Sequence, residues 1–154
     1  MSKIQEFLKN QEKSVMNIVE GKTIIDYLNN NAEESSDYPA LNTPINNEYT
    51  GWDSISWSEY QETVHNLASG LIDIGIQAED NAFIVANNVK EHFISDLGIM
   101  HAGAVPSTIY KQLKSGQIEY ISNLLEAKVA FVVMQTFLLK LIKQKITVQT
   151  WSTS

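Results

Sequence analysis

Three histidines, His65, His92 and His101, are the side chains best suited to move a proton or hold a metal near neutral pH. They fall on two predicted helices, and no set of carboxylates joins them in a recognisable metal-ligand pattern. His65 and His101 are expected to be satisfied, partly buried side chains, and His92 a surface one; metal binding is not expected. The adjacent carboxylates Glu33-Glu34 and Glu79-Asp80 are expected in turns, as solvated charge. Asn87 can hydrogen-bond a ligand, but its expected role is that of a loop and cap residue. No cysteine is present, which removes thiolate nucleophiles, thiolate metal sites and disulfides. There is no G-x-S-x-G elbow, no G-x-G-x-x-G and no G-x-x-x-x-G-K-[ST]. Trp52 and Trp57 are read as packing residues at a hairpin. No residue is assigned a catalytic, cofactor-binding or metal-binding role.

The elements that must position these residues follow from local chemistry. Residues 1–20 read as a solvated helix or arm. A second helical stretch begins at Ile24 and is expected to stop in the Asn cluster at 29–31. "ALNTPINNEYTGWDSISW" carries turn residues between short β-prone pieces and reads as a hairpin. Ser56 and Glu59 form a capping box before an apolar stripe of Tyr60, Val64, Leu67, Leu71 and Ile74, with Ile55 and Tyr60 placed as a hydrophobic staple. Gly75 is placed to end that helix. A strand is expected over Ala82–Ala86. The next helix has Asn88 as its N-cap, and Phe93, Ile94, Leu97 and His101 on its buried face. Gly103 ends it, and a strand runs from Val105 to Tyr110. Ser115 is expected to cap a third helix, with Ile118, Ile121, Leu124 and Leu125 inward. "KVAFVV" is a strand covered on both faces. The order β-α-β-α-β at short spacing predicts an α/β fold, the start of a doubly wound parallel sheet preceded by helices and a β-hairpin. Ligands of such sheets bind beyond the carboxyl ends of the strands, here Asn87-Asn88 and Tyr110 to Ser115.

"GIMHAGAVPSTIY" joins one crossover helix to the next strand. Gly98, Ala102 and Gly103 are expected to let the helix lie close on the sheet. Pro106 fits near a strand's first residue, where a missing N–H costs little.

The whole chain has 154 residues, 44% of them hydrophobic, enough for one globular domain. Net charge is −7. An acidic surface repels phosphate backbones, so no nucleic-acid partner is expected. All 11 basic residues are Lys, so bidentate Arg clamps are excluded. Up to Glu126 there are seven Lys against 18 acids, a net −11; after it there are four Lys and no acid, a net +4. No charged-then-apolar leader opens the chain, and no apolar run is long enough to span a bilayer. The expected location is cytoplasmic.

From Lys22 to Val133 the sequence resembles the N-terminal part of an AMP-forming acyl-CoA synthetase, of the adenylate-forming superfamily shared with luciferases and peptide-synthetase adenylation domains. The resemblance is carried by "SWSEYQETVHNLASGLIDIGI", "DNAFIVANNVKEHFISDLGIMHAGAVPSTIY" and "SGQIEYISNLLEAKVAFV". Within the superfamily, "GWDSISWSEY", "DLGIMHAGAVPSTIY" and "QIEYI" are most similar to long-chain fatty acid–CoA ligases. The family usually has Trp where Phe93 stands, and often Pro-Thr where Lys111-Gln112 stand. The resemblance implies that the full-length enzyme uses a fatty acid, ATP, Mg and CoA, forming an acyl-adenylate and then the thioester. It also implies that the phosphate loop, adenine-binding motif, ribose-binding Asp and catalytic Lys follow the region seen here. This chain is therefore expected to be a truncated and inactive fragment, with no cofactor of its own.

Three segments are expected: an arm over 1–21, a partial AMP-binding-type domain over 22–133, and a basic tail over 134–154 outside the family pattern. Shifted by one base, suitable codons for "VQTWS" read Pro-Asn-Leu-Glu, similar to the family's "Pro-Asn-Leu" before its next strand. A frameshift is the expected origin of the tail. The alternatives are a stand-alone α/β binding or interaction module, and a membrane-surface protein peripherally anchored by the basic amphipathic stretch from Phe137 to Val148.

Overall fold

The computed structural model describes residues 2–45, 50–110, 112–132 and 147–150. Three helices open with reciprocal capping boxes. Helix α1 (Lys3–Val19) is capped by Ser2 and Gln5, α2 (Ile24–Glu34) by Thr23 and Asp26, and α3 (Trp57–Asp73) by Ser56 and Glu59. In the third, the Glu59 N–H donates to Ser56 Oγ at 3.2 Å and the Ser56 N–H donates to Glu59 Oε2 at 2.8 Å. The Ser56 backbone N–H first, and the Ser56 side chain second, hold the Glu59 carboxyl below its ordinary range. Gly75, with φ +93°, and Gly103, with φ +81°, stand just past α3 and α4 (Lys90–His101), as the sequence predicts.

The Asn cluster does not stop α2, which continues to Glu34. Burial of Leu28 and Ala32 on one face outweighs the weak helix propensity of the asparagines. The Gln61 amide also donates to Asn29 Oδ1 at 2.9 Å, tying the cluster to α3. Glu33 and Glu34 consequently lie in the helix and not in a turn. Glu79-Asp80 is in a turn as expected: Glu79 has φ +69° and Asp80 accepts from the Gln77 N–H at 2.9 Å.

Strands β1 (Pro39–Pro44) and β2 (Trp52–Ser56) pair antiparallel, the predicted hairpin. The tip lies outside the described residues. A second sheet is parallel throughout: β3 (Asn81–Val85), β4 (Val105–Thr108), β5 (Val129–Val132) and β6 (Thr147–Thr150) lie in the order β4-β3-β5-β6. The period-2 alternation of β3 and β5 builds two cores. Ala82, Ile84, Val129 and Phe131 meet Leu71, Ile76 and Ile99 from α3, its C-terminal turn and α4. Phe83, Val85, Ala130 and Val132 meet Ile118 of α5 (Ser115–Leu125) on the opposite face. Helices on both faces of a parallel sheet make this the doubly wound arrangement that the sequence order predicts.

Several local expectations are corrected. Helix α4 is capped by Val89, without a side-chain bond, and not by Asn88. The helix begins one residue later than an Asn88 cap requires, because the Val89 N–H closes back on the Asn87 carbonyl at 2.9 Å. Helix α5 is capped by Lys114, and Ser115 is its first helical residue. The Lys114 N–H donates to Gln117 Oε1 at 3.0 Å, but an ammonium has no lone pair with which to complete a box. Ile74, Phe93, His101 and Leu124 are exposed. Ile94, Ser95, Gly98 and Ile99 form the buried side of α4 instead, because that helix packs on both α3 and the sheet. Finally, Gly98 does not bring the helix onto the sheet. A Cβ there would lie 2.5 Å from Leu67 Cδ2, so the glycine serves the contact between α4 and α3.

Candidate functional site

The chain reverses its direction of winding between β3 and β5. The crossover from β3 leads to β4 on one side, and β6 lies beyond β5 on the other. The crevice of this sheet therefore opens between the carboxyl ends of β3 and β5. After β3 come Asn87 and Asn88, both exposed. The residues directly after β5 lie outside the described set.

His92 organises this end. Its Nδ1 lies 3.3 Å from the Asn87 carbonyl and its Nε2 lies 3.1 Å from Thr108 Oγ1. A carbonyl only accepts, so Nδ1 carries the proton, and in the neutral ring the Thr108 hydroxyl donates to Nε2. His92 thereby clamps the loop after β3 to the end of β4. It is only half-exposed, and it is more engaged than a surface role implies. As the third residue of α4 it occupies the position from which a side chain reaches back over the preceding loop. That position is the signal that sequence reasoning could have used.

The other two histidines lie elsewhere. His65 on α3 and His101 on α4 stack with centroids 4.5 Å apart and 14° between planes. No local pattern announces this pair, since it depends on how two helices pack. Trp57 is half-buried among Leu28, Tyr60 and Ile94, a packing role as expected, while Trp52 is exposed on β2. Tyr110, beyond β4, is also exposed.

The chemistry available at the carboxyl ends is limited. The Asn87-Asn88 loop has no glycine, and so no stretch of bare backbone to wrap a phosphate. Lys90, the cation of the first turn of α4, is engaged by Asp53 of β2. Among the described residues no three His, Asp or Glu converge as a metal site. These donors do not fit a nucleotide with its Mg ion, nor the phosphates of CoA, so no step is routed through those groups. What the arrangement does is tie the loop after β3, on one side of the crevice, to the end of β4.

Comparison with known proteins agrees with this architecture. The model of the AMP-binding enzyme family matches residues 28–153, which runs past residue 133 and through β6. The long-chain-fatty-acid–CoA ligase heimdall of Drosophila melanogaster is 29% identical over 140 residues, covering 88% of this chain and 20% of that protein. The uncharacterized protein Rv1549 of Mycobacterium tuberculosis (strain H37Rv) is 28% identical over 99 residues, covering 64% of this chain and 54% of that protein. The crystal structure of the anthranilate CoA ligase AuaEII in complex with anthranoyl-AMP superposes with a TM-score of 0.72 at 20% identity, over 82% of this chain and 24% of that one. The chain thus spans a fifth of the ligase and about half of the mycobacterial protein. With its family match, its parallel sheet and its helices on both faces, the chain belongs to the AMP-binding enzyme family and has the fold of part of an adenylate-forming ligase.

Proposed function

We propose that this chain is the N-terminal part of an ATP-dependent, AMP-forming long-chain fatty acid–CoA ligase, and that it does not activate fatty acids alone. The observation that carries the reading is the relation to the Drosophila ligase, which extends over 88% of this chain. In such an enzyme a fatty acid carboxylate attacks the α-phosphate of ATP, releasing pyrophosphate and forming an acyl-adenylate. The CoA thiol then takes the acyl group and AMP leaves. Fatty acid, ATP, Mg and CoA are assigned to the whole enzyme. The residues described here contribute the scaffold: a double-sided sheet, with His92 pinning the loops at its carboxyl ends.

An ATP-dependent thioester assay with palmitate and CoA tests the claim. The 154-residue chain alone is expected to give no palmitoyl-CoA above background. Turnover by the purified chain overturns the inactivity claim. The gene decides the origin of the tail. An out-of-frame tail predicts a phosphate-loop motif in another frame downstream, whereas the match through residue 153 predicts family sequence in the same frame.

A stand-alone module is the second reading. It is favoured by the mycobacterial relative, a short protein of which 99 matched residues are 54%. A soluble, cooperatively melting chain without ligase activity supports it. No described helix is long and apolar enough to cross a membrane. The anchoring reading rests on Phe137 to Val148, of which only Thr147 and Val148 are described, and these lie in β6. Cytoplasmic location is proposed with the ligase reading; recovery of the chain with membranes after cell fractionation counts against it.

A further inference from the structure

We propose that the groove between α2, α3 and α4 binds a small organic cation, an ammonium group on a short apolar stem. The groove encloses about 360 Å³ and is lined by Tyr27, Trp57, Tyr60, Phe93 and the carboxylate of Asp96. That volume lies within the usual range for small-molecule sites, roughly 300–1,000 Å³. The lining includes no residue of β3 or β5, and the proposal does not depend on the ligase reading.

The lining selects the charge of its occupant. Aromatic faces carry negative quadrupole potential and attract ammonium groups. Trp57 and Tyr60 stand 6.2 Å apart at 39°, two tilted walls of one cage. Tyr60 is buried, and its hydroxyl donates to the Phe93 carbonyl at 3.2 Å, so its ring is held in place. At the rim, Lys22 Nζ already lies 5.6 Å from the centroid of the Tyr27 ring. Asp96 is the one charged residue in the lining among the described residues. It is half-buried, and no hydrogen-bond donor among the described residues reaches its carboxylate. Burial raises its pKa, and His92, one turn earlier on α4, opposes this only in part. A bound cation supplies Asp96 with a counter-charge that no lining residue among those described provides. A fatty acid carboxylate would instead meet a like charge.

The test uses the 154-residue chain, with choline and its neutral isostere 3,3-dimethylbutan-1-ol as probes, followed by NMR titration. Choline is expected to move the signals of Trp57, Phe93 and Asp96, and to bind about tenfold more tightly than the isostere. Asp96→Asn, which keeps the shape of the side chain, is expected to remove that preference. Phe93→Leu, at a half-exposed position, weakens choline binding several-fold while the spectrum elsewhere is unchanged. Equal affinity for the two probes, an unaltered preference in Asp96→Asn, or shifts confined to other surfaces overturns the proposal. Capture of the chain by phosphatidylcholine vesicles without binding of free choline assigns the groove to a lipid head group and overturns a free ligand.

Discussion

The imidazoles of His65 and His101 stack face to face across the α3–α4 interface, with centroids 4.5 Å apart. His65 Nε2 is buried and has no hydrogen-bond partner among the described residues. Partial desolvation first, and His65 second, hold the largely exposed His101 below the ordinary histidine range. At this site the native state therefore binds less proton than the unfolded chain near pH 6. His101's contribution to stability is whole above its unfolded pKa of about 6.5 and is lost as pH falls from there toward the folded value. The urea midpoint of the wild-type chain is expected to drop between pH 7.5 and pH 5.5, and His101→Gln to flatten that slope. An equal slope in both proteins contradicts the assignment. His65→Phe keeps a ring in the stack and removes the unpaired nitrogen, so at pH 8 its stability is expected within about 1 kcal/mol of wild type or above it.

The Ser56–Glu59 box starts the helix that packs Leu71 against the sheet and Tyr60 and Val64 against Leu28 and Ile94. Ser56→Ala leaves the Glu59 N–H without its acceptor and is expected to cost about 1 kcal/mol. Glu59→Gln retains an acceptor for the Ser56 N–H and loses only the charge at the positive end of the helix, so it is expected to cost less. Because the Glu59 pKa is lowered, its contribution is present above the ordinary carboxylate range and fades as pH falls through the folded value. Urea unfolding at pH 7 and pH 3 compares the two variants. A larger loss in Glu59→Gln at pH 7 would reverse the expected ranking.

Local chemistry explains what was legible in the sequence. The box at Ser56, the glycine stops at Gly75 and Gly103, and the apolar run of β5 each depend on residues a few positions apart. The β-α-β-α-β order followed from them. What was not legible needed a partner distant in the chain. Asn29 stays helical because Gln61 holds it and because Leu28 and Ala32 are buried beneath α3. The His65–His101 stack is 36 positions apart in sequence and is set by the packing of two helices. His92 reads as a surface residue in the sequence because its partners, the Asn87 carbonyl and Thr108, meet only once the parallel sheet is formed.

The His92 clamp makes its own prediction. His92→Leu removes both bonds from the mouth of the crevice while leaving β3 and β5 buried. Amide exchange at Asn87, Asn88 and Thr108 is expected to quicken about tenfold or more, with little change in the core strands. His92→Asn, which retains one donor and one acceptor, is expected to fall between the two. Uniform quickening across β3 and β5 would mean that His92 supports the whole fold and not the loops.

The sheet predicts limited thermal stability. Strand β4 lies at an edge, and Val105 at its start is exposed, as are Tyr120 and Leu124 on α5. An open strand edge favours association between chains. The isolated chain is expected to melt below about 60 °C, the upper part of the mesophile range, and to aggregate on heating. A monomer that melts cooperatively and reversibly above that temperature contradicts this.

The contact of α4 with α3 is tested at Gly98. A Cβ built there would stand 2.5 Å from Leu67 Cδ2, 2.8 Å from Cγ and 3.1 Å from Cβ. The first two belong to the movable end of the side chain, but the third lies near the backbone, so rotation of Leu67 alone cannot relieve the contact. Gly98→Ala is therefore expected to destabilise the chain by about 1–3 kcal/mol, through overpacking at a helix crossing. The intrinsic preference of a helix interior for alanine, about 1 kcal/mol, acts the other way and sets the lower end of that range. Leu67→Ala frees the space and by itself leaves a cavity. In the double variant the two faults offset each other, so its stability is expected to exceed the sum of the separate effects by at least about 1 kcal/mol. Strict additivity in urea unfolding would show that the two helices do not meet at this pair.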